Sequence, residues 1–352
     1  MPDLDKRTPV TLLSGFLGAG KTTVLNNLIR QPDSGRIAVI MNEFGDVGLD
    51  HDLIEDVSGD IVLMHAGCLC CSIRGDLAKT MAQLLSRRDQ GELDFDRVVI
   101  ETTGIADPAP IVNTLTTDGL IASRYQLDGV VVLADAASGP DTLEQHAEAF
   151  CQLAVADTIV ISKSDLVSAD ALAQYESRIE HINPSARVVR SQHGKVPLSD
   201  LFGLSAMRSD ASKAEIDQWL GTRNQSAKAT SSDHDIESAS IEVADPIAPE
   251  AFDDWLVTLL ALKGPHILRM KGIVHVEGMK WPFVFHGVQH IFDSPVPLKS
   301  WSSNDTRSRV VLIARDMSKG ELEASLNPLL GRVSTPEEGG DETWLERTGT
   351  SP

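Results

Sequence analysis

The chain is short of positive charge. Its 31 Lys and Arg face 51 Asp and Glu, a formal net charge of −20 over 352 residues. Nucleic acid and anionic lipid both require a basic face, so neither is an expected partner. No stretch approaches the ~18 consecutive apolar residues of a membrane span. Met1 to Arg7 hold no apolar signal core, which makes the cytoplasm the expected location. Cysteine is also scarce, at four residues. Cytoplasmic thiols stay reduced, so the cysteines present are expected to bind metal or do redox work rather than form structural disulfides. There are no internal repeats. At 42% hydrophobic residues a sizeable core is available, and the length suits roughly two or three domains.

Three of the four cysteines fall in one run, Gly67-Cys68-Leu69-Cys70-Cys71. Thiolates bind soft or borderline metals in tetrahedral array. Cys68 and Cys70 can chelate one ion from a loop, with Cys71 as a third ligand and a fourth position left open for exchange. Zn²⁺ fits this donor set best, with Co²⁺, Ni²⁺ and Cu⁺ as alternatives. Redox use is the rival reading.

Upstream, Gly15-Phe16-Leu17-Gly18-Ala19-Gly20-Lys21-Thr22 matches G-x-x-x-x-G-K-[ST] between an apolar run at 8–14 and a helical pattern at 21–30. In such a loop Gly15, Gly18, Ala19 and Gly20 let backbone N–H groups wrap the phosphates. Lys21 neutralises the β/γ charge, Thr22 ligates Mg²⁺, and Thr23 follows on the helix whose positive end faces the anion. The run at 97–100 ends in Glu101-Thr102-Thr103-Gly104. Glu101 is expected to hold Mg²⁺ or order the attacking water, and the Gly104 N–H to face the γ-phosphate. After the run at 158–161 comes Ser162-Lys163-Ser164-Asp165, where GTPases carry Asn-Lys-x-Asp. Asp165 suits the guanine N1–H and amino group, and the Lys163 stem suits the ring. Ser162 in place of Asn is expected to lose one base or loop contact, worth about 0.5–1.5 kcal/mol. Asn42 to Asp50 occupies the place of a γ-phosphate-responsive switch. There Glu43 and Asp46 are candidate ligands for Mg²⁺ or the thiol-bound metal, and an exposed acidic loop is the alternative.

Apolar runs at 36–41, 61–64 and 129–133 alternate with helical patterns, which predicts a mostly parallel sheet covered by helices. The fold class is α/β: a P-loop NTPase of the G-domain type over 1–205, with a small α+β domain over 238–331. That distal unit shows strands at 239–243, 266–276, 282–291 and 309–315, and helices at 249–262 and 319–329. Residues 206–237 read as a linker or mobile region and 332–352 as a disordered acidic tail. His286 and His290 share strand parity, and a structural role is expected of them.

Together these elements resemble the CobW family of P-loop GTPases. The matching residues are Gly15 to Thr23, Asn42-Glu-Phe-Gly45, Gly67 to Cys71 and Glu101 to Gly104, followed distally by Arg269-Met-Lys-Gly272, Gly287-Val288 and Trp301. The resemblance implies a GTPase that binds Zn²⁺ or a similar ion and delivers it to a metal-requiring client protein. Many members carry a histidine-rich stretch between the domains, whereas His234 stands alone here, so metal storage is not expected. No catalytic Arg finger is identifiable, so slow intrinsic turnover is expected, raised by a client or by homodimerisation. A zinc sensor or buffer using GTP as a structural ligand and a P-loop small-molecule kinase are the competing functions.

Overall fold

The computed structural model describes residues 7–42, 61–66, 73–221, 236–301, 305 and 307–330, of which 42, 61–66, 73 and 74 by backbone alone. The first unit runs β1 (Thr8–Gly15), α1 (Lys21–Ile29), β2 (Ile37–Asn42), β3 (Ile61–Ala66), α2 (Ile73–Asp89) and β4 (Arg97–Glu101). It continues with α3 (Ala109–Thr117), α4 (Gly119–Arg124), β5 (Tyr125–Asp135), α5 (Gly139–Gln145), α6 (Ala147–Val155), β6 (Thr158–Ser162), α7 (Ala169–Ile182) and β7 (Arg187–Arg190). The strands form a seven-stranded sheet in the order β3-β2-β4-β1-β5-β6-β7, and every neighbouring pair is parallel.

Near-continuous apolar runs form these strands because both faces of the sheet are covered. Val10 and Leu12 of β1, Ala38 and Ile40 of β2, and Val130 and Val132 of β5 join one buried cluster with α2, α3 and α6. The alternate residues Leu13, Val39, Val131 and Leu133 join another with Val24, Leu25 and Leu28 of α1. The strand period of two therefore assigns each side chain to its layer. β1 lies between β4 and β5. The strand order departs to either side of it, which is where open α/β sheets place their ligands, outside the carboxyl ends of the strands.

The second unit begins with α8 (Lys213–Leu220) and β8 (Ile236–Val243), followed by α9 (Pro249–Lys263) and β9 (Ile267–Val274). Then come β10 (Phe283–Val288), β11 (Ile291–Phe292), β12 (Val296–Pro297), β13 (Ser308–Arg315) and α10 (Lys319–Leu326). Its strands form a six-stranded antiparallel sheet in the order β11-β10-β9-β13-β8, with β12 on β10. Helices α9 and α10 cover one face through Phe252, Trp255, Leu259, Leu322 and Leu326. From the opposite side Leu268, Val288 and Ile313 enter the core cluster of the first unit.

Two expectations change. Residues 206–221 are not a linker: Ser212 and Glu215 form a capping box that starts α8. Ile216, Trp219 and Leu220 then pack on Ile273, Val284, Val296 and Leu298. Eight residues with a polar outer face are too few for helical periodicity to stand out from a loop. His290 lies in the turn after β10 rather than on the strand, so it does not share a face with His286. His286 is buried, and its Nε2 lies 2.7 Å from Asp293 Oδ2, a structural pairing as expected. Residues 222–235 of the expected linker and the expected tail 332–352 lie outside the described residues. No helix among the described residues is long and apolar enough to cross a membrane.

Candidate nucleotide and metal site

β1 ends in the phosphate loop. Gly18 and Gly20 take φ of 74° and 95°, the left-handed region where glycine carries no steric penalty. Gly20 caps α1, whose first residue is Lys21. The Lys21 ammonium donates to the carbonyls of Gly15 at 2.8 Å and Phe16 at 3.3 Å, so the buried cation is held on its own loop. Phe16 lies against the His146 ring, centroids 4.6 Å apart. Ala19 is buried, and Thr23 is exposed on the first turn of α1.

Glu101 and Thr22 meet. The Thr22 hydroxyl donates to Glu101 Oε1 at 2.9 Å, and the carboxylate is buried. Strand pairing places Glu101 opposite Leu13 of β1. The turn after Glu101 is anchored to the end of β1. The Thr102 N–H donates to Leu13 O at 3.0 Å, and the Thr102 hydroxyl to Ser14 Oγ at 2.9 Å. A Cβ on Gly104 would stand 2.6 Å from the Leu17 nitrogen and 2.7 Å from its Cα. The turn and the loop therefore touch through backbone, and only glycine permits it. Gln152 of α6 clamps this turn from behind, donating to Gly104 O at 3.2 Å and Ala106 O at 3.0 Å.

Ser162 makes a loop contact, so of the base or loop contact expected to be lost, the loop side is kept. Its hydroxyl donates to Ala19 O at 2.8 Å, tying the β6 end to the phosphate loop. A shorter side chain suffices because the residue is buried against the loop. Lys163 takes φ 54° and donates through Nζ to Asp135 Oδ2 at 2.6 Å. Burial would raise the Asp135 carboxyl. Hydrogen bonds from Lys163, Ser138 and the Ala137 N–H outweigh that and hold it below its ordinary value. Asp165 stands exposed in the short turn that follows. Sequence reasoning passed over Asp135 and Gln152. Asp135 had a signal, an acid ending the run Val130 to Asp135 as other acids end strands here, and its register partner is Ser162. Gln152 had none.

The candidate residues Glu43, Asp46, Cys68, Cys70 and Cys71 lie outside the described residues. Among the described residues no three His, Cys, Asp or Glu come together to hold a metal ion. The strands that lead to them are defined. Asn42, the last residue of β2, pairs with Ala66, the last of β3, and Met41 pairs with Glu101. The acidic segment and the thiol run thus leave adjacent strands at the edge where β1 delivers the phosphate loop. β3 is three strands from β1, on the order of 14 Å at ~4.8 Å per strand.

This fold and loop define a P-loop nucleotide-binding protein with an appended antiparallel domain. Its sequence matches the family model "CobW/HypB/UreG, nucleotide-binding domain" over residues 9–190 and "Cobalamin synthesis protein cobW C-terminal domain" over 236–330. The chain belongs to the CobW/HypB/UreG family. It is 33% identical over 316 residues to the Escherichia coli zinc chaperone YjiA, covering 90% of this chain and 96% of that one. It is 29% identical to the zinc-regulated GTPase metalloprotein activator 1 of Schizosaccharomyces pombe, covering 88% and 83%. The crystal structure of Zn(II)-bound YjiA GTPase from E. coli superimposes with a TM-score of 0.70 at 29% identity, covering 92% of this chain and 99% of that one.

Proposed function

We propose that the chain is a GTP-hydrolysing metallochaperone that binds Zn²⁺ at Cys68, Cys70 and Cys71 and passes it to a client protein according to nucleotide state. The observation that carries this reading is the register Asn42 to Ala66 beside Met41 to Glu101. It starts the acidic segment and the thiol run at the sheet edge that also holds Glu101 and the phosphate loop. The names of the zinc chaperone and GTPase relatives support the same reading.

In this mechanism the loop from Gly15 to Thr23 wraps the phosphates, and Lys21 leaves its own loop carbonyls for the β/γ oxygens. Asp165 accepts the guanine N1–H and amino group, while Asp135 fixes the Lys163 stem. A hard divalent ion takes oxygen ligands, and the paired Thr22 hydroxyl and Glu101 carboxylate fit Mg²⁺. Held there by Thr22 and Glu101, Mg²⁺ would supply positive charge against the negative charge that develops on the phosphates. Gly104 contacts the γ-phosphate by its N–H, and Gln152 restrains the turn that carries it. Glu43 and Asp46 respond to the γ-phosphate and bear on the metal. Zn²⁺ is the cargo, with Co²⁺ or Ni²⁺ as alternatives, and the soft thiolate set selects for it. Residues 1–205 form the GTPase unit, and the distal domain, 238–331, faces the client. Homodimerisation is a further means of raising turnover, and the cytoplasm is the expected location.

Single-turnover phosphate release from GTP, followed with and without Zn²⁺, tests the reading. Hydrolysis of GTP in preference to ATP is expected, together with zinc capture that is lost on Cys68→Ser with Cys70→Ser. GTP that is bound but never cleaved would leave the sensor or buffer reading instead.

A further inference from the structure

The turn that follows Glu101 is held from three sides, and the third is the other domain. Gly104 abuts the phosphate-loop backbone at Leu17, and Gln152 holds the carbonyls of Gly104 and Ala106. Asp107 closes the turn. Its Oδ1 accepts the Ala109 N–H at 2.9 Å, at the first residue of α3. Its Oδ2 accepts Gln289 Nε2 at 2.8 Å, from the turn between β10 and β11, 182 positions along the chain. One carboxylate therefore joins the Gly104 turn, the start of α3 and the antiparallel sheet.

The local backbone holds Gln289 in place for this reach. Its φ is 55°, in the left-handed region that is costly for a residue with a Cβ. Its N–H donates to Leu268 O at 3.1 Å, which pins the turn onto β9. The preceding Val288 is buried in the core of the first unit. Such conformations persist only where the surroundings enforce them, and they gather at functional contacts.

The far end of α3 is gripped as well. Thr116 donates to Asp293, whose carboxylate also meets His286 Nε2 at 2.7 Å. Between these ends β11 lies against the helix. α3 has nine residues, on the order of 13 Å at ~1.5 Å per residue, and a helix that short moves as a rod. A shift of the Gly104 turn therefore moves α3 against a hairpin fixed at its other end, and the coupling runs equally in reverse.

We infer that Gln289 is a positioning residue for GTP hydrolysis: through Asp107 the distal domain sets the turn that presents Gly104 to the γ-phosphate. A client seated on that domain then alters turnover by way of this hairpin. The inference rests on the GTPase reading above and adds the route by which the second domain regulates that site. The Asp107–Gln289 bond is exposed, so a moderate effect is expected of it.

Single-turnover phosphate release from the full-length protein, with GTP affinity and the melting midpoint beside it, tests the proposal. Gln289→Asn tolerates the left-handed turn but is one methylene short of Asp107. It is expected to slow release roughly threefold to tenfold, the worth of one hydrogen bond, with affinity and midpoint unchanged. Asp107→Ser keeps an acceptor for the Ala109 N–H. It is expected to slow release to a similar degree, and the double variant no further. Hydrogen exchange supplies a readout that needs no cleavage. With a non-hydrolysable GTP analogue the amides of residues 288–293 are expected to exchange roughly fivefold more slowly than with GDP, and Gln289→Asn to remove most of that difference. Wild-type release in Gln289→Asn, or two effects that multiply in the double variant, would overturn the proposal. So would a rate that falls only as the midpoint falls, or exchange that is alike in both nucleotide states. A wild type that releases no phosphate would remove the GTPase reading instead, and the exchange arms alone would then decide the coupling.

Discussion

Lys21→Ala is expected to lower GTP turnover by roughly 10²–10³-fold, the cost of removing one preorganised charge from a reacting phosphoryl group. The zinc affinity of the thiol run should survive, and its response to GTP should vanish. The physical reason lies in what Lys21 does now. Its ammonium bonds to two carbonyls of its own loop, Gly15 and Phe16. Those carbonyls cannot themselves hold a polyanion, so without the cation the loop presents N–H groups alone. Folding stability should change little, because the lost bonds lie within one loop and are each worth about 1 kcal/mol. Phosphate release and nucleotide binding measured on the variant, beside its thermal midpoint, check the result. Wild-type turnover would remove Lys21 from the mechanism. A collapsed midpoint would instead make it a structural residue.

The second large effect is on stability. Asp157→Asn is expected to cost about 3–5 kcal/mol, because it leaves Arg269 and Lys271 as buried cations without their counter-charge. Both are about 1% exposed and lie on β9, while Asp157 precedes β6 in the other unit. The ion triad therefore reports on docking of the two units as well as on either alone. Replacing all three with apolar residues, as Asp157→Leu with Arg269→Met and Lys271→Met, should recover most of the loss, since the desolvation of three charges then disappears. Denaturant midpoints at neutral pH check both variants. A midpoint for Asp157→Asn equal to that of the wild type would show that the triad contributes nothing.

The same triad sets an acid limit. Burial would raise the Asp157 carboxyl, but Arg269 and Lys271 outweigh burial and hold it well below its ordinary 3.8. Its folded value is depressed, so its contribution is fully present above that ordinary value. It is lost as pH falls below about 3.8, where the unfolded chain takes up a proton that the folded chain refuses. The wild type should lose stability there more steeply than Asp157→Asn.

Legibility followed distance along the chain. The phosphate loop was readable because Gly15 to Thr22 are contiguous and their chemistry demands that spacing. The strand patterns gave β1, β4 and β6 to within a residue or two, because buried parallel strands are apolar on both faces. Ser162 was readable as a departure from Asn-Lys-x-Asp. Its hydrogen bond to Ala19 O was not, since that bond spans 143 positions. Arg269 and Lys271 were noticed only as part of a resemblance, and their partner Asp157 lies 112 positions before Arg269. Local pattern carries no information about such pairings. Helix α8 was missed because its apolar residues face the second sheet across only two turns. Gln152 looked like an ordinary helix residue, and only the fold brings it behind Gly104.

The central claim is that triphosphate at the loop and metal at the thiols are linked through one sheet edge. Competition titration of Zn²⁺ into the full-length protein with no nucleotide, with GDP and with a non-hydrolysable GTP analogue tests it most directly. The account predicts that zinc affinity differs by roughly 5–150-fold between the triphosphate and diphosphate states, with a reciprocal change in nucleotide affinity. Identical zinc affinity in all three conditions would contradict it.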